Sequence, residues 1–405
     1  MSSQYETSSG FSTSSSSSSS ASSAPAIAVS RSHSCALLDN SSVKCWGRNQ
    51  YGQLGIDNTT TMGDNSGEMA VLPTVNLGTG RTATAIAVGG NHSCALLDNA
   101  SVKCWGLNDS GQLGINFFRT YPNILRMGNI SGDMAVLPTV NLGTGHTATA
   151  IASNVRTDHT CAILDNASVK CWGINDYGQL GIDNTTNMGD NTGEMDVLPS
   201  IDLGTGRTAT AIAAGGYHSC AILDNASVKC WGRNNTGQLG IDNTTDMGDN
   251  TGEMAVLPTV NLGTGRTATA IATGWYHSCA ILDNASVKCW GYNTYAMLGI
   301  GHNRNMGDNT GEMGDNLPSI DLGTGRTATA IAAGTNHSCA LLDNGSVKCW
   351  GYNASGQLGI ENTTIMGRNS SEMAQLTGIN LGTGRTATAI AAGDLHTCAV
   401  LDNAS

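Results

Sequence analysis

Apolar positions recur along this chain in short bursts and never in long ones. TATAIAA, SCAIL and SVKCW each gather Ala, Ile, Val, Leu or Cys over five to seven residues, and Gly, Asn or Asp bounds every burst. Such runs predict β-strands. No window sustains the 3.6-residue period of an amphipathic helix. AVLPTVNL predicts a weaker fourth strand, because its Pro lacks an amide donor and suits only a sheet edge.

These segments repeat. The signature H-[ST]-C begins at His33, His92, His159, His218, His277, His337 and His396, with spacings of 59, 67, 59, 59, 60 and 59. Periodicity of this size marks a solenoid, propeller or array. Four short strands in each of seven copies predict an all-β fold, a β-propeller of about seven four-stranded blades with an Ala/Thr-rich strand at the crowded hub. The seventh copy supplies only its first two strands, so the last blade is expected to be incomplete and frayed, and the ring open. Residues 1–25 are low-complexity and Ser-rich, which predicts a disordered tail or linker; residues 26–405 form the propeller.

The motif G-x-x-H-[ST]-x-A-L, then D-N-G, then V-x-x-W-G-x-N-x-x-G-Q-L-G resembles the regulator of chromosome condensation repeat across residues 26–405. That resemblance implies a seven-bladed propeller. The unit here is longer, with an added MGDNTGEM loop and added cysteines.

All 13 Cys occupy two slots of the repeat. Six C-x₉-C pairs result: Cys35/Cys45, Cys94/Cys104, Cys161/Cys171, Cys220/Cys230, Cys279/Cys289 and Cys339/Cys349, with Cys398 left over. A three-residue turn Asp343-Asn344-Gly345, with Gly left-handed, would pair Leu342 with Ser346 and so set Cys339 opposite Cys349. Opposed sulfurs lie within disulfide reach. Reduced buried pairs are the alternative; zinc is poorer, since each hairpin offers two thiols and one nearby His. Paired cysteines in every unit, with many N-x-[ST] sequons such as Asn344-Gly345-Ser346, predict a glycoprotein of the cell surface or exterior. The N-terminus lacks a signal-peptide pattern, so the chain is expected to be a fragment of a longer secreted protein.

Composition removes several functions. A net charge of −12 argues against a nucleic-acid partner, and every Lys fills the same V-K-C-W-G slot, which leaves no basic patch. No apolar run approaches the roughly 20 residues of a membrane span. The seven signature His and the six Trp of C-W-G (Trp46, Trp105, Trp172, Trp231, Trp290, Trp350) recur in every blade, as structural residues do. GTGRT precedes a strand where a phosphate loop would open a helix, so its Arg81, Arg207, Arg266, Arg326 and Arg385, with His146 in their place once, mark a turn. MGDNTGEM sets Asp249 and Glu253 four apart, too few oxygen ligands for a calcium loop. No catalytic triad, metal motif or cofactor fingerprint stands apart from the repeat, and neither an enzyme nor a cofactor is expected.

Variation within the repeat carries the remaining signal. The loops before each signature His and after each W-G vary most, and antiparallel pairing puts both at one end of the blade. They hold Arg48, Tyr51, Tyr177, Tyr217, Arg233, Trp275, Tyr276, Tyr292, Tyr295 and Tyr352, residue types enriched at binding hot spots. Two irregular loops accompany them, the insertion Asn116–Arg126 and Ser153–Asp158. The expected function is a non-enzymatic scaffold that recognises a protein, or a glycan, through one propeller face. The resemblance also offers guanine-nucleotide exchange on a small GTPase as the alternative. It offers β-lactamase inhibition too, and ultraviolet sensing, which would need Trp in several G-W-x-H slots; here Trp275 alone fills one.

Overall fold

A computed structural model describes residues 26–115 and 126–403; the Ser-rich segment, residues 1–25, lies outside the described residues. Seven antiparallel sheets stand around a hub. Blade four is representative, with strands Ala209–Ala214, His218–Leu223 and Val228–Gly232 in that order from the axis outward. Blade seven contains two strands, Ala387–Ala392 and Thr397–Leu401. The inner strands are Ala-rich because they converge, and small side chains let neighbouring blades approach. Ala28, Ala87, Ala152, Ala213, Ala272, Ala332 and Ala391 are all buried there.

The hairpin register follows the expectation. Cys339 faces Cys349, Ala340 faces Lys348 and Leu341 faces Val347, while the Leu342 amide donates to Ser346. The same pairing sets Cys35 opposite Cys45, Cys94 opposite Cys104, Cys161 opposite Cys171, Cys220 opposite Cys230 and Cys279 opposite Cys289. All six predicted disulfides form across these positions, joining Cα atoms 4.0–4.1 Å apart. Cys398 remains a thiol, and burial pushes its pKa up. The turn residue is left-handed, Gly345 at φ 75° and Ala226 at φ 60°. Alanine is therefore forced into a conformation that glycine adopts freely.

Two expectations need correction. AVLPTVNL is not a regular strand: its first part closes a single helical turn, as in Glu253–Val256, and the rest makes one ladder-like bond, Val260 N to Val228 O at 2.8 Å. Its Pro interrupts the donor pattern that a continuous edge strand would need. The outermost position is filled instead by a bridge from the Met of MGDN, Gly232 to Met247, and in blade two by the short strand Arg126–Met127. The ring is also not open. The inner strand Ala26–Val29 of blade one packs against both strands of blade seven.

The large buried side chains sit between blades. Trp231 is fully buried, and its Nε1 donates to the Gln179 carbonyl of the preceding blade at 3.1 Å. Its ring covers Gly181, where a Cβ would meet it at 2.7 Å. Trp105, Trp172, Trp290 and Trp350 repeat this arrangement. Trp46 is half-buried. Among the described residues no helix is long and apolar enough to cross a membrane.

Candidate functional site

Strand pairing decides which loops share a face. His218 pairs with Gly232, so the loop before the His and the loop after W-G leave the same end of blade four. A backbone bond ties them, Arg233 N to Tyr217 O at 2.9 Å; Tyr292 N to Tyr276 O repeats it in blade five and Tyr352 N to Asn336 O in blade six. The D-N-A turns leave the other end, on the opposite face.

On the first face the predicted aromatics join into one arc. Ring centroids run from Tyr177 to Tyr217 at 5.3 Å, Tyr217 to Tyr276 at 5.7 Å and Tyr276 to Tyr292 at 6.2 Å. The arc continues to Tyr295 at 6.4 Å and to Tyr352 at 4.9 Å. Trp275 stacks on Tyr276 at 4.6 Å. The Arg233 guanidinium sits over Tyr177 at 4.4 Å, reaches Tyr217 and Tyr276 at about 5.5 Å, and donates to the Tyr276 hydroxyl. Burial pushes the Tyr276 phenol up despite the opposing pull of Arg233. Eight of the ten predicted residues thus form one surface spanning blades three to six.

Arg48 and Tyr51 lie apart from the arc, across the hub. Arg48 and Arg126 both stack on Tyr51, at 5.7 and 4.8 Å. A cleft of about 360 Å³ lies between the two groups, lined by Arg31, Arg48, Tyr51, Arg156, Asp158, Tyr217 and Trp275. A second groove of about 350 Å³ follows the arc itself, walled by Trp275, Tyr276, Tyr292 and Tyr295 with Asn235, Thr236 and Asn336. Residues 116–125 of the expected insertion lie outside the described residues.

The disulfide cysteines take no part in either concavity. Cys45, Cys104, Cys171, Cys230, Cys289 and Cys349 are fully buried in the third strand of their blades. Their partners Cys35, Cys94, Cys161, Cys220, Cys279 and Cys339 are buried on the second strand. These twelve residues staple the blades and present no sulfur to a ligand, so they are scaffold and not site.

Arg31 and Asp394 escaped the sequence reading, whereas Arg156 and Asp158 lie in the irregular loop Ser153–Asp158 that it singled out; all four meet at or beside the cleft. Arg31, Arg156 and Asp394 come from blades one, three and seven, and Asp394 joins them, 2.7 Å from Arg156 and 3.5 Å from Arg31. The Arg156 guanidinium also covers the Trp275 ring at 4.6 Å. Beside it, burial and the charge of Asp109 raise the Asp158 pKa to about 6, against a hydrogen bond from Gln112. All four occupy pre-His loops, so the same variation that marks Ser153–Asp158 could have found Arg31 and Asp394; only ring closure brings them together.

The recurring residues are structural. Each signature His is bound to a hydroxyl of the next blade, for example His218 Nε2 to Ser278 Oγ at 2.8 Å, and that serine donates to the Gln238 carbonyl. The proton must therefore be on Nε2. The partner is a strand hydroxyl, Ser278 lying in His277–Leu282 of blade five. The turn arginines pair with the D-N aspartates on the opposite face, as Arg207 does with Asp224 at 3.2 Å. Glu253 is used by its own loop, accepting the amides of Gly248, Asp249 and Asn250.

A propeller with structural residues fixed in every blade and aromatic, cationic variation on one face is the architecture of a recognition scaffold. The chain belongs to the RCC1-like domain family: the family's model matches residues 5–306, and the RCC1 repeat matches residues 328–357. It is similar to the ultraviolet-B receptor UVR8 of Arabidopsis thaliana, 27% identical over 341 residues, covering 83% of this chain and 67% of that protein. It is similar also to the mitochondrial RCC1 domain-containing protein RUG3 of the same plant, 27% identical, covering 78% of this chain and 62% of that one. The chain thus spans about two thirds of the length of these relatives. In fold it matches yeast RCC1 (Prp20), solved bound to Kap60, with a TM-score of 0.67, 19% identity, and coverage of 92% and 78%. Human WBSCR16 follows with a TM-score of 0.64, 16% identity, and coverage of 93% and 85%.

Proposed function

We propose that this propeller is a non-enzymatic scaffold that binds a protein partner across the aromatic face, in an oxidising extracellular setting. The observation that carries the reading is the continuous arc from Tyr177 to Tyr352 with Arg233 laid into it. Tyr and Trp offer large, rigid contact area with few torsions to freeze, and Arg adds cation–π and hydrogen-bonding capacity. The six hairpin disulfides support the setting, because such pairs persist where glutathione does not reduce them. Nucleotide exchange on a GTPase would place the chain in a reducing compartment, and the redox state of the native cysteines separates the two.

A photo-crosslinking residue at Tyr292 should capture the partner from the native secretome, whereas the same residue at Asn225 on the opposite face should not. Equal capture from both positions, or capture unaffected by Trp275→Ala, would overturn the reading.

A further inference from the structure

We propose that Asn40, Asn99, Asn166, Asn225, Asn284 and Asn344, the tips of the six complete hairpins, are acceptors of N-linked glycans that decorate the face opposite the aromatic arc. The proposal rests on the extracellular reading above.

Each of these residues opens an N-x-Ser sequon whose middle residue is Ser, Ala or Gly, never the excluded Pro. Sequons are abundant here, and it is the structure that sorts them. At the six tips the Asn is exposed. Its Oδ1 accepts the amide of the serine two residues on, at 3.0–3.2 Å. The same oxygen accepts that serine's Oγ at 2.7 Å in every copy. The Nδ2 atoms have no partner among the described residues. Serine thus holds the amide oxygen while the nitrogen faces solvent, on a turn whose left-handed residue lifts it clear of the sheet.

The other sequons differ in the amide nitrogen or in burial. The exposed Asn58, Asn184, Asn243 and Asn362 also accept the amide two residues on, but their Nδ2 atoms donate to the carbonyls of Ile56, Ile182, Ile241 and Ile360 at 3.0–3.1 Å. Asn234 and Asn353 are buried, and their Nδ2 atoms donate to the carbonyls of Asn243 and Asn362 at 2.7 and 2.8 Å. Asn108 is buried too, with its Oδ1 engaged by the Leu113 amide. On the aromatic face, the sequons of Asn91 and Asn336 have their serine hydroxyls sealed between blades, Ser93 against His33 and Ser338 against His277.

The transfer is a substitution at an anomeric carbon. Asn Nδ2 forms a bond to C1 of an oligosaccharide carried on a polyprenyl diphosphate; the C1–O bond to the diphosphate breaks, and the amide loses one proton to a transferase base. Nothing is oxidised. A hairpin strand separates each tip from the aromatic loops by roughly 20 Å, so a ring of glycans would shield one face and leave the other open for a partner.

The test directs the full chain through the secretory route of a eukaryotic host, removes glycans with peptide-N-glycosidase in ¹⁸O-water, and maps labelled aspartates by mass spectrometry. Label is expected at the six tips and absent at Asn108, Asn234 and Asn353. Ser227→Ala should remove one glycan-sized step on a gel. Absence of label at the tips, or label at the buried asparagines as frequent as at the tips, would overturn the proposal. Because the host supplies the compartment, reduced cysteines in the native source would sink the extracellular reading alone.

Discussion

Nε2 of His396 lies 3.4 Å from Oγ of Ser34, and this contact joins the last blade to the first. At the six other junctions the equivalent distance is 2.8–2.9 Å. Each of those hydroxyls also donates to a carbonyl of the preceding blade, as Ser219 does to Gln179. Ser34 has no such acceptor among the described residues, so the closing junction is the weakest of the seven. Asp394, only 4% exposed, reinforces it by bridging Arg31 and Arg156. Removing a largely buried carboxylate strands its partners, and Asp394→Ala should cost about 2 kcal/mol with faster hydrogen exchange over residues 386–403. Asp224→Ala, which breaks an ion pair more than a third exposed on both sides, should cost well under about 1 kcal/mol. Equal losses would mean that the hub pair does not close the ring.

The disulfides give a second expectation. Intact mass with and without reduction and alkylation should reveal six bonds and one free thiol, Cys398. Each bond closes a loop with sequence separation 10, and the chain-entropy relation assigns such a loop about 2–3 kcal/mol. Denaturant midpoints of the Cys220→Ser, Cys230→Ser double variant should fall accordingly. Twelve or more free thiols in protein isolated under thiol-blocking conditions would remove this contribution and the oxidising setting together.

Acid should unfold the propeller through its histidines. Burial holds His33, His92, His159, His218 and His277 at a pKa of about 3 and His337 at about 4. The unfolded chain takes up these protons near pH 6.5 and the native ring does not, so stability is full above that pH and falls as pH drops toward 3. By pH 5 the loss is about 2 kcal/mol per His from the same relation. Melting temperature should therefore drop steeply below pH 6, and a flat profile from pH 7 to 4 would contradict the neutral inter-blade pairs.

Much of this fold is legible in the sequence because one physical solution is stated seven times. Period, strand order and the Cys339–Cys349 register follow from a turn signal flanked by alternating residues. The outer edge was misjudged for a local reason: Val256, Leu257 and Val260 look like strand residues, yet the turn after Gly252 makes a short helix there. Closure was misjudged because Ala26–Val29 is a fragment by composition, and only its contact with Ala387–Ala392 shows that it suffices at the hub. The arc was legible as a set of exceptions to the repeat. The Arg31–Asp394–Arg156 cluster was not, since three loops far apart in the chain must first be folded together.

The turn alanines offer a stabilising change. Ala226 adopts φ 60°, in the region that costs an L-residue roughly 1–2 kcal/mol. Ala226→Gly relieves this but adds freedom to the unfolded chain, so the net gain should be about 0.5–1 kcal/mol by denaturant melts. Gly345 already occupies the slot in blade six, and Gly345→Ala should lose more than that, because the added Cβ would sit 2.6 Å from Thr386 Cβ. Opposite signs for the two variants are the expected result.

The aromatic face can be separated from packing by three variants. Trp290 is fully buried between blades and its Nε1 is bonded to the Gln238 carbonyl, so Trp290→Ala should cost roughly 3–5 kcal/mol of stability. Trp275 is only half-buried, and its neighbours are Arg156, Tyr217 and Tyr276 of the variable loops. Trp275→Ala should therefore cost about 2 kcal/mol or more in partner affinity and less than half the stability lost with Trp290. The third variant moves the ring without removing it. A Cβ at Gly216 would meet Trp275 Cδ1 at 2.0 Å and the Trp275 carbonyl oxygen at 2.6 Å, so Gly216→Ala must shift Trp275, backbone and indole together, from its seat on Tyr276. Partner affinity should fall with Gly216→Ala even though every aromatic is still present, because the binding surface depends on where the ring lies. If Gly216→Ala binds normally while Trp275→Ala unfolds the protein, the indole is a packing residue and the arc is not the docking surface.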